Sequence, residues 1–108
     1  MNIAFKVVSD SMTPLIKISD SLKVACENKN YKIFDIIVFK RSSDLVVHYV
    51  WRNQIEFNQT VITRSLKNIY SDEEPIHKNE IIGQVTNFEI GPLLKYKILF
   101  LCFMARAL

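Results

Sequence analysis

Glycine is nearly missing from this chain: only Gly83 and Gly91 occur among 108 residues. Glycine reaches backbone angles that side chains resist, so Asn, Asp and Ser must fill most turn positions. Cysteine is as sparse. Cys26 and Cys102 lie far apart, and neither they nor His48 and His77 show the short spacings of a zinc site. Two free thiols are expected, with no metal and no cofactor. Long apolar runs are also lacking. The most apolar stretch is "ILFLCFM" at 98–104, far short of the roughly 20 residues that span a bilayer. Residues 1–8 are too short for the apolar segment of a signal peptide, because the polar "SDS" follows at once. No basic block with interleaved aromatics occurs, so the formal charge of +3 does not point to nucleic acid. There are no internal repeats and no low-complexity linkers.

What is present reads as one globular domain. Hydrophobic residues make up 49% and charged residues 23%, enough apolar surface to order a core and too little charge for disorder. Strand signals dominate. "DIIVFK" (35–40) and "DLVVHYVWR" (44–52) are rich in β-branched and aromatic residues, and "RSSD" between them reads as a hairpin turn. "QIEFNQTVITR" (54–64) is expected to be the next strand, with Ile55, Phe57, Val61 and Thr63 as strand positions and Arg52-Asn53-Gln54 as the turn before it. "SLKVACEN" (21–28) and "EIIGQVTNFEI" (80–90) are further strands, the latter bulged at Gly83. The polar segment 65–80, with Pro75, reads as a structured loop. The chain breaks at Gly91-Pro92 and ends in an apolar tail. Either a strand or a helix fits that tail, the helix having Leu93, Leu94, Lys97, Ile98, Leu101 and Cys102 on one side. The prediction is a mainly antiparallel β-domain over 1–90 with short turns, and a tail over 91–108 packed on it.

Several short motifs occur in a telling order. Ser11-Met12-Thr13-Pro14-Leu15 fits an S-M-x-P box. Ile18-Ser19-Asp20, then Tyr31-Lys32-Ile33-Phe34-Asp35-Ile36-Ile37-Val38-Phe39, then Val46-Val47-His48-Tyr49-Val50 follow it. Thr63-Arg64-Ser65-Leu66-Lys67-Asn68-Ile69-Tyr70-Ser71-Asp72 and Pro75-Ile76 … Ile82-Gly83-Gln84-Val85 complete the series. Together they resemble the superfamily of serine peptidases that contains signal peptidase I and the self-cleaving SOS repressors. The resemblance spans residues 7–85 and implies that superfamily's antiparallel β-fold. The chain departs from the family pattern where Asp10, Ser19, Phe34 and Ser65 replace glycines and Leu66 replaces an aspartate.

In this superfamily a base on a strand activates the serine. Position 48 matches the base and holds a histidine, which resembles the archaeal and endoplasmic-reticulum branch rather than the Ser–Lys branch. A hydroxyl is a poor nucleophile until a base takes its proton, and imidazole titrates near neutral pH. The same base can protonate the leaving amine. The resemblance places Asp72 as the acid that orients His48, which implies a Ser11–His48–Asp72 triad. It also implies an oxyanion hole from the Ser11 backbone N–H and Ser9. Met12 and Pro14 are read as structural residues of the nucleophile turn, lining the substrate cleft. Lys17, Lys23, Lys40 and Arg64 are read as solvated charges, and a guanidinium at 64 cannot serve as a base. His77 is read as an exposed loop residue.

The activity so implied is endopeptidase cleavage of a leader or signal-type segment from a peptide or protein precursor. The substrate would bind extended, by adding a strand to an exposed sheet edge. The expected site of action is the cytoplasm, or beside a membrane or a companion protein. The alternative is a degenerate peptide-binding relative without catalysis. A repressor role fits poorly, because only ten residues precede Ser11. The tail "KYKILFLCFMARAL", basic then apolar then small-x-small, also loosely resembles a signal sequence. This raises a third expectation, that it occupies the cleft or is trimmed near Ala107; packing on the domain or lying on a membrane surface ranks above it.

Overall fold

A computed structural model of the chain describes residues 2–7, 11–26 and 30–107. Among these residues, seven strands form one sheet: β1 (Asn2–Lys6), β2 (Ser21–Ala25), β3 (Ile36–Arg41), β4 (Asp44–Gln54), β5 (Thr60–Arg64), β6 (Ile76–His77) and β7 (Ile81–Val85). Their spatial order is β1-β2-β7-β3-β4-β5-β6, and every pairing is antiparallel. The domain is mainly β, as the sequence predicts.

β3 and β4 form the centre because both are rich in Ile, Val and aromatic residues. Side chains alternate across a strand, and here both faces are buried. Ile36 and Val38 pack with Leu22, Val24, Tyr49 and Val85 on one side. Ile37 and Phe39 pack with Val50, Val61 and Ile76 on the other. The β3–β4 hairpin turns through Ser42 and Ser43, with Ser42 at a positive φ of 56°.

Two stretches fold differently from the sequence prediction. Residues 52–54 are not a turn but the end of β4, and Ile55–Asn58 makes a single helical turn, α1. The side-chain carbonyl of Asn53 accepts from the Ile55 N–H (2.9 Å). Gln59 then closes the turn in a left-handed conformation, its N–H donating to the Ile55 carbonyl. Alternation misleads here because Phe57, counted as a strand position, is 90% exposed. β7 ends at Val85, and Asn87 folds back to clamp β2, accepting from the Lys23 N–H and donating to the Ser21 carbonyl. The expected bulge lies beside Gly83: Val38 pairs with Gly83 and Phe39 with Ile81, so Ile82 is the extra residue. Gly83 itself is required by contact, since a Cβ there would stand 2.3 Å from the Ala25 carbonyl oxygen.

The tail is a helix, α2 (Pro92–Ala107). Ile98 is buried in the first core, with Leu94 and Cys102 packed against it. Lys97 and Leu93 do not share that face, since Leu93 is 89% exposed. No described helix is long and apolar enough to cross a membrane.

Two turns share one construction, which the sequence repeats as Lys-Ile-x-Asp. In Lys17–Asp20 the Asp20 N–H donates to the Lys17 carbonyl (3.0 Å), and the Asp20 carboxylate accepts from the Lys17 N–H (2.8 Å). In Lys32–Asp35 the same two bonds form at 3.0 and 2.8 Å. The third residue of each turn has positive φ, 76° at Ser19 and 74° at Phe34. These are two of the positions where glycine would be easiest.

Candidate active site

Ser11 follows β1 and opens a compact turn in which the Ile16 N–H donates to the Met12 carbonyl (2.9 Å). The Ser11 carbonyl accepts from the Lys67 N–H (3.3 Å), which ties this turn to the late loop. Met12, buried among Ile16, Leu22 and Val38, anchors the turn in the first core. His48 sits on β4 opposite Ile37, so its ring lies on the other face of the sheet, edge-on to Phe39 at 5.8 Å.

Ser11 and His48 nevertheless line one cavity of about 560 Å³. Its walls include Val7, Met12, Ile16, Leu22 and the consecutive residues Asp44 to His48. The cavity opens over the first-core face, where Leu22 and Val38 also line it, and reaches the start of β4, whose pairing with β5 begins only at Tyr49. Ser11 and His48 both belong to its lining. Met12 lines the cavity as expected; Pro14 does not line it and is exposed. No described residue of α2 lines it either, so the tail does not fill the cleft. Ser9 lies outside the described residues, and so does its expected part in an oxyanion hole.

The acid beside His48 is Glu73, not Asp72. Glu73 Oε1 stands 2.9 Å from His48 Nδ1. The oxygen lies off the N–H direction, leaving Nδ1 enclosed without a well-aligned hydrogen bond. Asp72 instead accepts two bonds from Arg64, from Nε at 2.9 Å and Nη2 at 2.6 Å. The physical reason is local. The Glu73 N–H donates to the Thr63 carbonyl (3.1 Å), fixing this segment alongside β5, and successive side chains on an extended segment point to opposite sides. One carboxylate therefore meets Arg64 and the next meets His48. In "SDEEP" three acids stand together, and only this pairing selects among them.

Arg41, at the end of β3, completes the cluster. Its Nη1 donates to Glu73 Oε2 (3.2 Å) and its Nη2 to the Glu74 carbonyl (3.1 Å). Arg41 lies on the same face as His48, four residues beyond Ile37, a spacing legible in the strand alternation once the acid is known. Burial, and after it the Arg41 guanidinium, lower His48 to about 4. A carboxylate at 2.9 Å ordinarily raises an imidazole, and here burial and the Arg41 charge prevail. His48 is thus neutral at neutral pH. A carboxylate at Nδ1 favours the Nδ1–H tautomer and leaves Nε2 to take up a proton.

Arg64 is not a solvated charge. It is 7% exposed, lies over the Trp51 ring with 3.9 Å to the centroid, and its Nη1 donates to the Ile69 carbonyl (2.7 Å) and to Cys102 Sγ (3.2 Å). It fastens the loop that carries Asp72 and Glu73. His77, half-buried, accepts from the Asn79 N–H through Nδ1 and takes no part in the cavity. Compared with protein-family models, with curated proteins and with solved structures, the chain matches none.

Proposed function

We propose that this chain is a serine endopeptidase of the signal peptidase and SOS-repressor type, cleaving a leader or signal-type segment from a peptide or protein precursor. Ser11 is the nucleophile, His48 the general base and Glu73 the acid that orients it, in place of Asp72. The observation that carries this reading is the shared cavity: Ser11 and His48 both line it, beside a segment of β4 whose outer edge pairs with no described strand, and a carboxylate stands next to the imidazole. An unpaired edge suits an extended peptide, whose main chain would pair with residues 44–48 while side chains enter the apolar cavity. His48 would take the Ser11 proton as the hydroxyl attacks the carbonyl carbon, then deliver it to the leaving amine. The positive φ at Ser19 and Phe34 also favours the family reading, since glycine stands there in the family pattern. The protein would act in the cytoplasm or at a membrane face.

A second reading, a peptide binder without catalysis, is favoured by the weak basicity of His48, a poor match to the pH at which it would work. Labelling separates the two. The protein is treated with a serine-directed phosphonylating probe, and the modified residue is read by mass spectrometry. Labelling at Ser11 that disappears in His48→Ala is the expected result. A folded wild-type protein that resists the probe across neutral to alkaline pH would overturn the peptidase reading and leave the binder.

A further inference from the structure

The outer face of α2 carries an apolar surface that the domain does not cover. Ile98 is buried, while Tyr96, Phe100 and Phe103 are 75%, 55% and 68% exposed. At about 100° per residue, these three rings stand opposite Ile98. Leu99 forms one shoulder of the face; Leu93 and Met104 form the other, and all three are exposed. The apolar surface continues off the helix, where Tyr70, 57% exposed, lines a groove with Leu99 and Phe103.

The charges on α2 are arranged around this face. Lys95 and Lys97 are both exposed, and the same helical spacing puts one on each flank, Lys97 beside the apolar crest and Lys95 nearer the domain, with its ammonium 5.8 Å from the Phe34 ring centroid. No Asp or Glu occurs from Gly91 to Leu108. A second copy of the chain packed on this face would bring like charges together and leave them unanswered. An anionic lipid surface would answer them. With the rings immersed among acyl chains, lysines on the flanks reach the phosphate level with their alkyl stems still in apolar contact. The helix is 16 residues long, about 24 Å at about 1.5 Å per residue, which suits a helix lying in the surface better than one crossing it.

We propose that α2 is a membrane-surface helix that docks this domain on anionic bilayers, with Tyr96, Phe100 and Phe103 immersed and Lys95 and Lys97 at the headgroups. This docking does not depend on the peptidase reading.

The test is flotation of the purified protein with vesicles of equimolar phosphatidylglycerol and phosphatidylcholine, beside vesicles of phosphatidylcholine alone. Sedimentation velocity without lipid is run in parallel. The expected result is binding to the anionic vesicles that weakens as salt rises. Phe100→Ser with Phe103→Ser should weaken it about tenfold or more per ring removed, and Lys95→Gln with Lys97→Gln roughly fivefold per lysine. All four positions are exposed, and thermal melts confirm that the variants fold. A folded wild-type protein that floats with neither vesicle overturns the proposal. So does vesicle binding that survives loss of both rings. A dimer that the Phe100→Ser/Phe103→Ser protein cannot form, without vesicle binding by the wild type, assigns the face to a second copy instead.

Discussion

Acid should destabilise this protein through one histidine. His48 is 7% exposed and is lowered from an ordinary value near 6.5 to about 4. In the unfolded chain the imidazole takes a proton as pH falls through about 6.5. In the folded chain it resists until about 4. Between those values the unfolded state holds more protons, so stability rises with pH and falls on acidification. The contribution is constant above the unfolded value and is lost progressively toward the folded one. At about 1.4 kcal/mol for each pH step, the fall is about 3 kcal/mol, a large part of the 5–15 kcal/mol typical of a domain. The assay is urea unfolding at closely spaced pH values from 7 to 4 for the wild type and for His48→Gln. Carboxylates titrate in both proteins and largely cancel in the difference. The wild type should lose about 3 kcal/mol relative to the variant over this window. Parallel pH profiles would refute the reasoning, because they would mean that His48 charges in the folded state as easily as in the unfolded one.

Other expectations concern single contacts. Glu73→Gln should slow probe labelling at Ser11 by about a hundredfold or more by removing the carboxylate behind His48. Asp72→Asn should leave labelling within a few-fold and lower stability by about 3 kcal/mol, because the buried Arg64 guanidinium loses its charge partner. Equal labelling losses in both variants would reject the assignment of Glu73. Ser19→Gly should raise the urea midpoint, by up to about 1 kcal/mol in stability, because φ is 76° there and the left-handed region costs a side chain about that much. Gly83→Ala should cost about 3 kcal/mol or more, because its Cβ would meet backbone at 2.3 Å rather than a side chain that can move aside. A neutral melt for this variant would show that β2 and β7 separate freely.

Strand content was legible because it depends on local pattern. The β-branched runs that became β3 and β4 and the "RSSD" turn need no distant partner to be recognised. Residues 54–64 misled because alternation says nothing about burial, and Phe57 alternates correctly while facing solvent. The Lys-Ile-x-Asp repeat was visible in the letters, yet four residues fall below the length at which repeats are sought. Only the hydrogen bonds show both copies to be the same turn. At the candidate site, Ser11 and His48 were reachable from the order of the motifs. Glu73 was not. Choosing between neighbouring acids requires knowing which side of an extended segment faces β4, and that depends on where the Glu73 N–H pairs with β5. Arg41 followed the same logic, being readable only once its carboxylate was known. The burial of Arg64 is not legible in the sequence, because a guanidinium is charged wherever it lies. Its burial rests on Trp51, Asp72 and two acceptors drawn from separate parts of the chain.

Arg64 therefore serves as a mechanical joint. One rigid planar group holds β5, the Ile69–Asp72 loop and the Cys102 turn of α2 at fixed distances. The residue after Asp72 is Glu73, which backs His48. One buried cation thus ties the end of β5, the loop that follows it and the outer helix together at a single point.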